Sequence, residues 1–172
     1  MSTNDYQWYA IYSSARAENK AYQLLQEKGV EVYLPLIKRL KQWSDRKKMV
    51  EEPLIRSYLF VKISEKEYYN VLQTRHVVRF ITFEGKAVPI PVNQIDVIKK
   101  LLANDTEVDV LTENLEEGDR IRVAKGPLLG LEGELVQYKQ KKRVMVRIEQ
   151  IGKTLIVNLP LGFLEPMQEK IR

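Results

Sequence analysis

The sequence predicts an α+β protein made of two units: an N-terminal unit of alternating strands and helices, and a small C-terminal β-barrel. An acidic stretch lies between them, because Asp105 to Asp119 carries seven acidic residues, no basic residue and no sustained apolar period. Glycine usage changes at the same place, since six of the eight glycines lie beyond residue 117. We therefore expect a first domain at residues 1–104, an acidic linker at 105–117 and a barrel domain at 118–172.

The first unit alternates short apolar runs with amphipathic runs. Apolar residues at helical spacing from Ala17 onward predict a first helix, for which Ser13 and Ser14 are candidate caps. Ser64 and Glu67 form a capping-box pattern that predicts the start of a second helix. Strands are expected at 8–12, 30–34, 57–63 and 77–83, and a last helix after residue 91. The resulting order, βαββαβ plus a helix, is typical of a ferredoxin-like fold.

Basic residues are concentrated in the first unit. The formal net charge of +5 divides into +6 for residues 1–104 and −1 for residues 105–172. Six of the basic residues lie between Lys38 and Lys48 against a single acid, Asp45, and the polar stretch 37–53 predicts a long basic hairpin. This excess permits contact with a polyanion, but a solvated surface has the same composition.

Strand periodicity continues through the second unit. Apolar residues alternate around Ile121, Val144 and Leu155, and glycine turns separate these runs. Five short strands in roughly 50 residues predict a small closed barrel. A helical arrangement of 121–159 is disfavoured by the same periodicity.

The composition argues against several classes of function. The chain has no cysteine and one histidine, His76, which excludes disulfides, thiolate zinc sites and histidine-cluster metal sites. His76 is expected to be a loop residue, with a nucleic-acid contact as the alternative. No nucleophile elbow, Walker loop or dinucleotide fingerprint is present, although carboxylates distant in sequence can still converge. We therefore expect no enzymatic activity, no cofactor and no metal.

The sequence has no recognisable segment for membrane insertion or secretion. No apolar run approaches the length of a membrane span, and the first residues lack the pattern of a signal peptide. We expect a cytoplasmic, monomeric chain with no membrane partner.

Three blocks of sequence, in order and spacing, resemble the NusG family of transcription elongation factors. Trp8–Tyr12 is followed directly by a helix, Arg56–Val61 resembles the family's Pro-Gly-Tyr-hydrophobic-Val strand, and Gly118–Gly133 is similar to its KOW motif. The resemblance covers residues 8–166. It implies a ferredoxin-like NGN domain followed by an SH3-like KOW barrel.

The departures from this pattern indicate which branch of the family is resembled. Arg56 and Ser57 stand where Pro-Gly is usual, and Leu128 stands where Phe is usual. The Leu-Phe-Val run after Tyr58 looks more like the specialised paralogues of the UpxY and RfaH types. We therefore expect a specialised antitermination factor.

The resemblance implies that the first domain docks on the clamp helices of RNA polymerase, keeps the clamp closed and suppresses pausing. By motif position, the polymerase-binding residues are Tyr12, Ile55, Tyr58 and Phe60. Tyr58 and Phe60 are two apart on one strand, so both are expected on the same face of the sheet, and their joint replacement by Ala is expected to abolish binding. A purely structural role in the core is the alternative for all four.

Nucleic-acid and second-partner sites follow from the same resemblance. Lys20, Thr74 and Arg75, with Arg16 as a further candidate, are expected to meet the non-template DNA strand or the upstream duplex. Each basic residue has a solvated surface charge as its alternative. The barrel is expected to recruit ribosomal protein S-ten or the termination factor Rho. The alternative function is a KOW-type RNA-binding or ribosome-associated module, which shares the basic surface and the barrel.

Overall fold

The computed structural model describes residues 5–104, 106–112 and 116–168. The chain divides into two compact units, Met1–Ile95 and Asp96–Arg172. This division falls within a helix, upstream of the predicted domain boundary at 104, and that boundary stays a prediction.

The first unit and the helix that follows it have the predicted βαββαβ order with additional short strands. In chain order the elements are β1 (Gln7–Ser13), α1 (Glu18–Glu27), β2 (Glu31–Tyr33), β3 (Leu36–Gln42), β4 (Lys47–Pro53), β5 (Tyr58–Ile63), α2 (Tyr68–Leu72), β6 (Val77–Phe80), β7 (Thr82–Phe83), β8 (Lys86–Ala87), β9 (Pro89–Ile90) and α3 (Val92–Ala103). The main sheet is antiparallel in the order β2-β5-β1-β6, with β9 also paired to β1. Two hairpins, β3–β4 and β7–β8, are separate from it.

Side chains of one sheet face pack with α1 and α2 into the core of the first unit. Ile11 of β1 and Leu59 of β5 belong to this cluster, together with Ala21 and Leu25 of α1 and Val71 of α2, and all five are fully buried. Full burial of a large apolar side chain contributes roughly 1.5–3 kcal/mol. The helical spacing that predicted α1 therefore identifies its core face correctly.

The two predicted helix caps have different outcomes. The capping box is confirmed, because the Glu67 carboxylate accepts hydrogen bonds from the Ser64 backbone N–H at 2.9 Å and from the Ser64 hydroxyl at 3.2 Å. The cap at Ser13 or Ser14 is wrong, since α1 begins at Glu18 and its N-cap residue is Ala17. Ser13 instead ends β1, fully buried in the sheet.

The predicted basic hairpin is confirmed as β3 and β4. Its register pairs Leu36 with Pro53 at the base and Gln42 with Lys47 near the tip. The turn is closed by a hydrogen bond of 2.7 Å from the Trp43 N–H to the Arg46 carbonyl.

The second unit is built of antiparallel strands. They are β10 (Val108–Leu111), β11 (Asp119–Val123), β12 (Glu132–Tyr138), β13 (Lys141–Ile148), β14 (Lys153–Val157) and β15 (Leu164–Pro166). Their order in the sheet is β10-β14-β13-β12-β11-β15. The strand periodicity predicted for 121–159 is thus correct: among the described residues of the predicted barrel domain, 118–172, there are the five expected strands, β11 to β15, and β10 lies in the predicted linker.

The predicted acidic linker needs a correction at residues 108–111. This segment is strand β10, paired with β14 in a register that places Val108 opposite Val157, and Val108 is buried. Val108 and Val110 alternate with Asp109, which allows one face of an edge strand to be apolar and the other charged. The high local density of acids concealed this alternation. Residues 105 and 113–115 of the predicted linker lie outside the described residues.

Close approach of the backbone requires glycine at two positions of the second unit. A Cβ atom on Gly133 would lie 2.7 Å from the carbonyl oxygen of Met145, which the β12–β13 register places opposite the next residue, Glu134. A Cβ atom on Gly118 would overlap the carbonyl group of Leu135. These contacts explain part of the glycine enrichment beyond residue 105.

Among the described helices, none is long and apolar enough to cross a bilayer.

Candidate functional site

Two tyrosines pair across neighbouring strands at one end of the main sheet. The β1–β5 register sets Tyr12 opposite Tyr58, and their ring centroids are 5.5 Å apart with an interplanar angle of 86°. This is the edge-to-face arrangement that aromatic quadrupoles favour. Both side chains are partly exposed. The pair therefore presents aromatic surface in a fixed orientation.

An arginine extends this aromatic pair onto a third strand. Arg79 of β6 is opposite Tyr12 in the register, is exposed, and holds its guanidinium carbon 5.4 Å from the Tyr12 ring centroid. The distance is within the range of a cation–π contact. We refer to Tyr12, Tyr58 and Arg79 as the tyrosine surface. Sequence reasoning missed Arg79, because only the register between β1 and β6 brings it to Tyr12.

The other two predicted docking residues are core residues. Ile55 is 3% exposed and Phe60 is 0% exposed. Phe60 does share a sheet face with Tyr58, but it lies opposite Ala10 and Tyr33 and stacks on the Tyr33 ring at 6.3 Å. Of the four predicted docking residues, Tyr12 and Tyr58 are therefore partly exposed, whereas Ile55 and Phe60 are buried in the core, the alternative given for them above. The shared sheet face is accessible at Tyr58 and covered at Phe60. The alternation of side chains along a strand predicts the face on which a residue lies, but it does not predict which part of that face is covered.

Burial also perturbs Tyr33 beside this core. Desolvation raises the pKa of the Tyr33 hydroxyl to about 12, because a phenolate loses hydration in an apolar environment. Tyr33 is thus a neutral packing residue over the whole range in which proteins normally work.

The turn before Tyr58 is anchored by a buried carboxylate. Glu18 at the start of α1 is 7% exposed, and its Oε1 accepts a hydrogen bond of 2.9 Å from the Ser57 N–H. The Ser57 carbonyl in turn accepts one of 2.7 Å from the Ser13 N–H. These two bonds fix the turn to α1 and to the end of β1, and so orient Tyr58 toward Tyr12. No sequence pattern pointed to Glu18.

The backbone of this turn explains the glycine that the family pattern favours there. Ser57 has φ of 65°, in the left-handed region where a side chain is strained. Glycine adopts this conformation without that strain. The Arg56–Ser57 pair thus keeps the turn while departing from the usual residues.

The predicted nucleic-acid residues lie on α1 and on two adjoining loops. The loop after β1 and the loop before β6 are joined by a hydrogen bond of 2.9 Å from the Ser14 N–H to the His76 carbonyl. Arg16 and Arg75 are exposed on these loops, and Lys20 is exposed on the first turn of α1. The fold therefore brings the two loops together, although their residues are about 60 apart in sequence.

Thr74 differs from the other nucleic-acid candidates. Its side chain is 4% exposed, and its hydroxyl donates a hydrogen bond of 2.9 Å to the Asn70 carbonyl at the end of α2. The Thr74 hydroxyl is therefore occupied within the fold, and a contact between Thr74 and nucleic acid stays a prediction. Thr74 supports the loop that carries Arg75.

The described segments contain no group of three or more His, Cys, Asp or Glu that converges as a metal site would. His76 is a half-buried loop residue with φ of 72°. Its backbone carbonyl, through the bond to Ser14, is the part that holds the two loops together.

Fold and site together define a class: a two-unit α+β protein that offers an aromatic surface and cationic loops on its first unit. Residues 6–99, more than half of the chain, match the family model described as "Transcription termination factor nusG". The chain therefore belongs to the NusG family.

Known relatives resemble the chain over nearly its full length. "Transcription termination/antitermination protein NusG" of Streptococcus pyogenes serotype M3 is 24% identical over 166 residues, which cover 90% of this chain and 92% of the relative. The protein of the same name from Borreliella burgdorferi is 23% identical over 180 residues, with 92% and 97% covered. The solved structure "Domain interaction in Thermotoga maritima NusG" has a TM-score of 0.57 at 20% identity and covers 95% of this chain and 98% of its own. At that identity the last match supports the fold alone.

Proposed function

We propose that this chain is a transcription termination/antitermination factor that binds the clamp helices of RNA polymerase through the tyrosine surface. Membership of the NusG family and the names of its relatives support the general role. The single observation that carries the docking site is the edge-to-face pair of Tyr12 and Tyr58, which are partly exposed although they lie beside a fully buried core.

The geometry suits an anchor for a protein partner. A ring pair held in one orientation loses little conformational entropy on binding, and aromatic anchors at an interface centre contribute upward of about 2 kcal/mol each. The guanidinium of Arg79 adds a cation at the rim, where it favours an acidic partner surface. Ile55 and Phe60 contribute by holding the turn and strand in place. A clamp gripped in this way stays closed, which suppresses pausing.

We assign Lys20, Arg75 and Arg16 to contact with the non-template DNA strand or the upstream duplex. All three side chains are exposed, and Arg16 and Arg75 lie on the loops joined by the Ser14–His76 bond. Cations at these positions would neutralise phosphates and make affinity fall with salt. Thr74 maintains the loop geometry from within.

For the two units we propose the NGN and KOW assignments, with a closed KOW barrel that recruits a second partner such as ribosomal protein S-ten or Rho. Two exposed leucines, Leu129 at 61% and Leu161 at 53%, give the second unit apolar contact points. Leu129 lies in the loop between β11 and β12, and Leu161 begins the short 3-10 helix Leu161–Phe163 that precedes β15.

We also propose that the chain is a specialised member of the family, of the UpxY or RfaH type. The support is the Arg56–Ser57 turn and Leu128 in place of the usual residues. Transcript profiling after deletion of the gene tests this. Changes confined to one or a few operons would support it, and changes across most transcripts would contradict it.

Affinity purification of the intact chain from native lysate, followed by mass spectrometry, tests the main proposal. Core subunits of RNA polymerase should be recovered with the parent chain and lost with Tyr12→Ala plus Tyr58→Ala. Recovery of large ribosomal subunit proteins without polymerase would contradict it and favour the ribosome-associated module.

A further inference from the structure

The β3–β4 hairpin carries an exposed aromatic ring within a dense group of positive charges. Residues 38–48 hold six basic residues and one acid, for a local net charge of +5. The hairpin forms its own two-stranded sheet, apart from the main sheet of the first unit. Trp43 at its turn is 56% exposed. Tryptophan is highly buried on average, so a ring this exposed is uncommon.

The register places the ring and two cations on the same face of the hairpin tip. The register pairs Lys41 with Lys48 and then Gln42 with Lys47, and beyond these pairs the 2.7 Å turn bond joins Trp43 to Arg46. Directly opposed residues, and residues two apart on a strand, share a face. Trp43, Arg46 and Lys48 therefore lie on one face of the tip; Lys41 shares that face, and its ammonium is paired with Glu52.

One acid near the base of the hairpin, Glu52, compensates two of its cations. Glu52 forms ion pairs with Arg39 at 3.2 Å and with Lys41 at 2.7 Å, and these cations hold the pKa of its carboxyl below the usual value. Across the residues that the structure describes, no ion pair joins Arg46 or Lys48 to an acid. The positive potential is thus concentrated at the tip, beside the indole.

We propose that this tip binds single-stranded nucleic acid, with a base stacked on Trp43 and the flanking phosphates neutralised by Arg46 and Lys48. An aromatic ring with adjacent cations is the chemistry by which proteins hold unpaired strands with little sequence preference. A duplex keeps its bases stacked on one another and cannot offer a free base face to the ring. An acidic peptide would use the cations but not the ring. The assignment rests on the hairpin alone and does not depend on polymerase docking.

The two tryptophans of the chain make the test direct. Trp8 is 5% exposed in the sheet, whereas Trp43 is exposed, so quenching of intrinsic fluorescence by a bound strand reports on Trp43. The intact chain is titrated with a short oligothymidylate, an oligouridylate of equal length, a duplex of equal charge and a polyglutamate peptide. We expect quenching by both single strands, and their relative affinities identify DNA or RNA as the preferred source of the strand.

Variants separate stacking from charge and from misfolding. Trp43→Ala should remove the quenching and weaken single-strand binding about ten-fold or more, while Trp43→Phe should retain most of the affinity. Arg46→Ala plus Lys48→Ala should reduce the slope of log affinity against log salt by about 1.4, since each phosphate contact on a single strand contributes about 0.7. Leu40→Ala is the matched control, because Leu40 is 60% exposed on the opposite face of the same hairpin.

Three outcomes would overturn the proposal. They are unchanged single-strand affinity in Trp43→Ala, equally tight duplex binding with the same dependence on Trp43, and polyglutamate binding with equal affinity and quenching. Failure of the polymerase proposal leaves this titration unaffected, because no polymerase is present. Lys66→Ala, which removes an exposed cation that belongs to neither proposed site, should likewise leave the quenching of Trp43 intact.

Discussion

The carboxylate of Glu18 accepts a hydrogen bond of 2.9 Å from the backbone N–H of Ser57, 39 residues further along the chain. This bond joins the first turn of α1 to the turn that precedes Tyr58. It also satisfies a buried donor that would otherwise have no partner in a left-handed turn. The position of Tyr58 on the tyrosine surface thus depends on Glu18, a buried residue that is not itself part of that surface.

Replacement of Glu18 should show this dependence. Glu18→Ala leaves the Ser57 N–H unsatisfied and should lower the free energy of unfolding by about 1–3 kcal/mol. Glu18→Gln keeps an acceptor oxygen and should lose clearly less. Urea titration of the three proteins measures the difference. Equal stability of all three would show that the bond does not stabilise the turn.

Ser57→Gly should stabilise the protein. The left-handed φ of 65° costs a non-glycine residue roughly 1 kcal/mol, and glycine adopts it freely at some cost in chain entropy. We expect a rise of a few degrees in the melting temperature. Ser57→Ala is the control, since it keeps the Cβ atom and should give no gain. A lower melting temperature for Ser57→Gly would contradict the account.

Tyr33 should make stability fall at alkaline pH. Its pKa is raised to about 12 in the folded chain, whereas the ordinary value is 10.0. Between these values the unfolded chain releases the proton and the folded chain retains it, so stability is complete below about pH 10 and is lost as pH rises toward 12. Tyr33→Phe should flatten the curve of melting temperature against pH over this interval. Parallel curves for the parent and the variant would exclude Tyr33 as the cause.

The loops that carry Arg16 and Arg75 should determine how binding to DNA depends on salt. Lys20→Ala plus Arg75→Ala should weaken recruitment to a polymerase elongation complex with an open bubble and reduce the salt slope by about 1. Lys66→Ala is the control, because Lys66 is an exposed cation on another turn of the same unit. If the double variant showed the same recruitment and the same salt slope as the parent, Lys20 and Arg75 would be solvated surface charges without a role in binding.

The sequence predicted local structure better than burial and long-range contacts. The capping box at Ser64, the core face of α1 and the β3–β4 hairpin depend on neighbours in sequence, and all three were predicted correctly. Phe60 was placed on the correct sheet face, but its burial depends on Tyr33 from another strand. Strand β10 was missed because seven acids obscured two alternating valines.

The candidate site shows the same division. Tyr12 and Tyr58 were identified by their positions in two motifs, and the register brings them together. Arg79 and Glu18 reach the site only through strand pairing and a contact over 39 residues, for which a single sequence carries no signal.

The central claim concerns the tyrosine surface, and its test must spare the core. Phe60→Ala is unsuitable, because removal of a fully buried ring costs about 3–5 kcal/mol and would confound binding with unfolding. Tyr12→Ala plus Tyr58→Ala removes partly exposed rings. Tyr69→Ala is a matched control, since Tyr69 is 69% exposed on α2.

The most direct measurement is therefore the affinity of the parent, the double variant and the control for purified RNA polymerase, with circular dichroism to verify folding. We predict a loss of at least about thirty-fold for Tyr12→Ala plus Tyr58→Ala, and none for Tyr69→Ala. Parental affinity in a folded double variant would contradict the proposal that Tyr12 and Tyr58 bind the polymerase clamp.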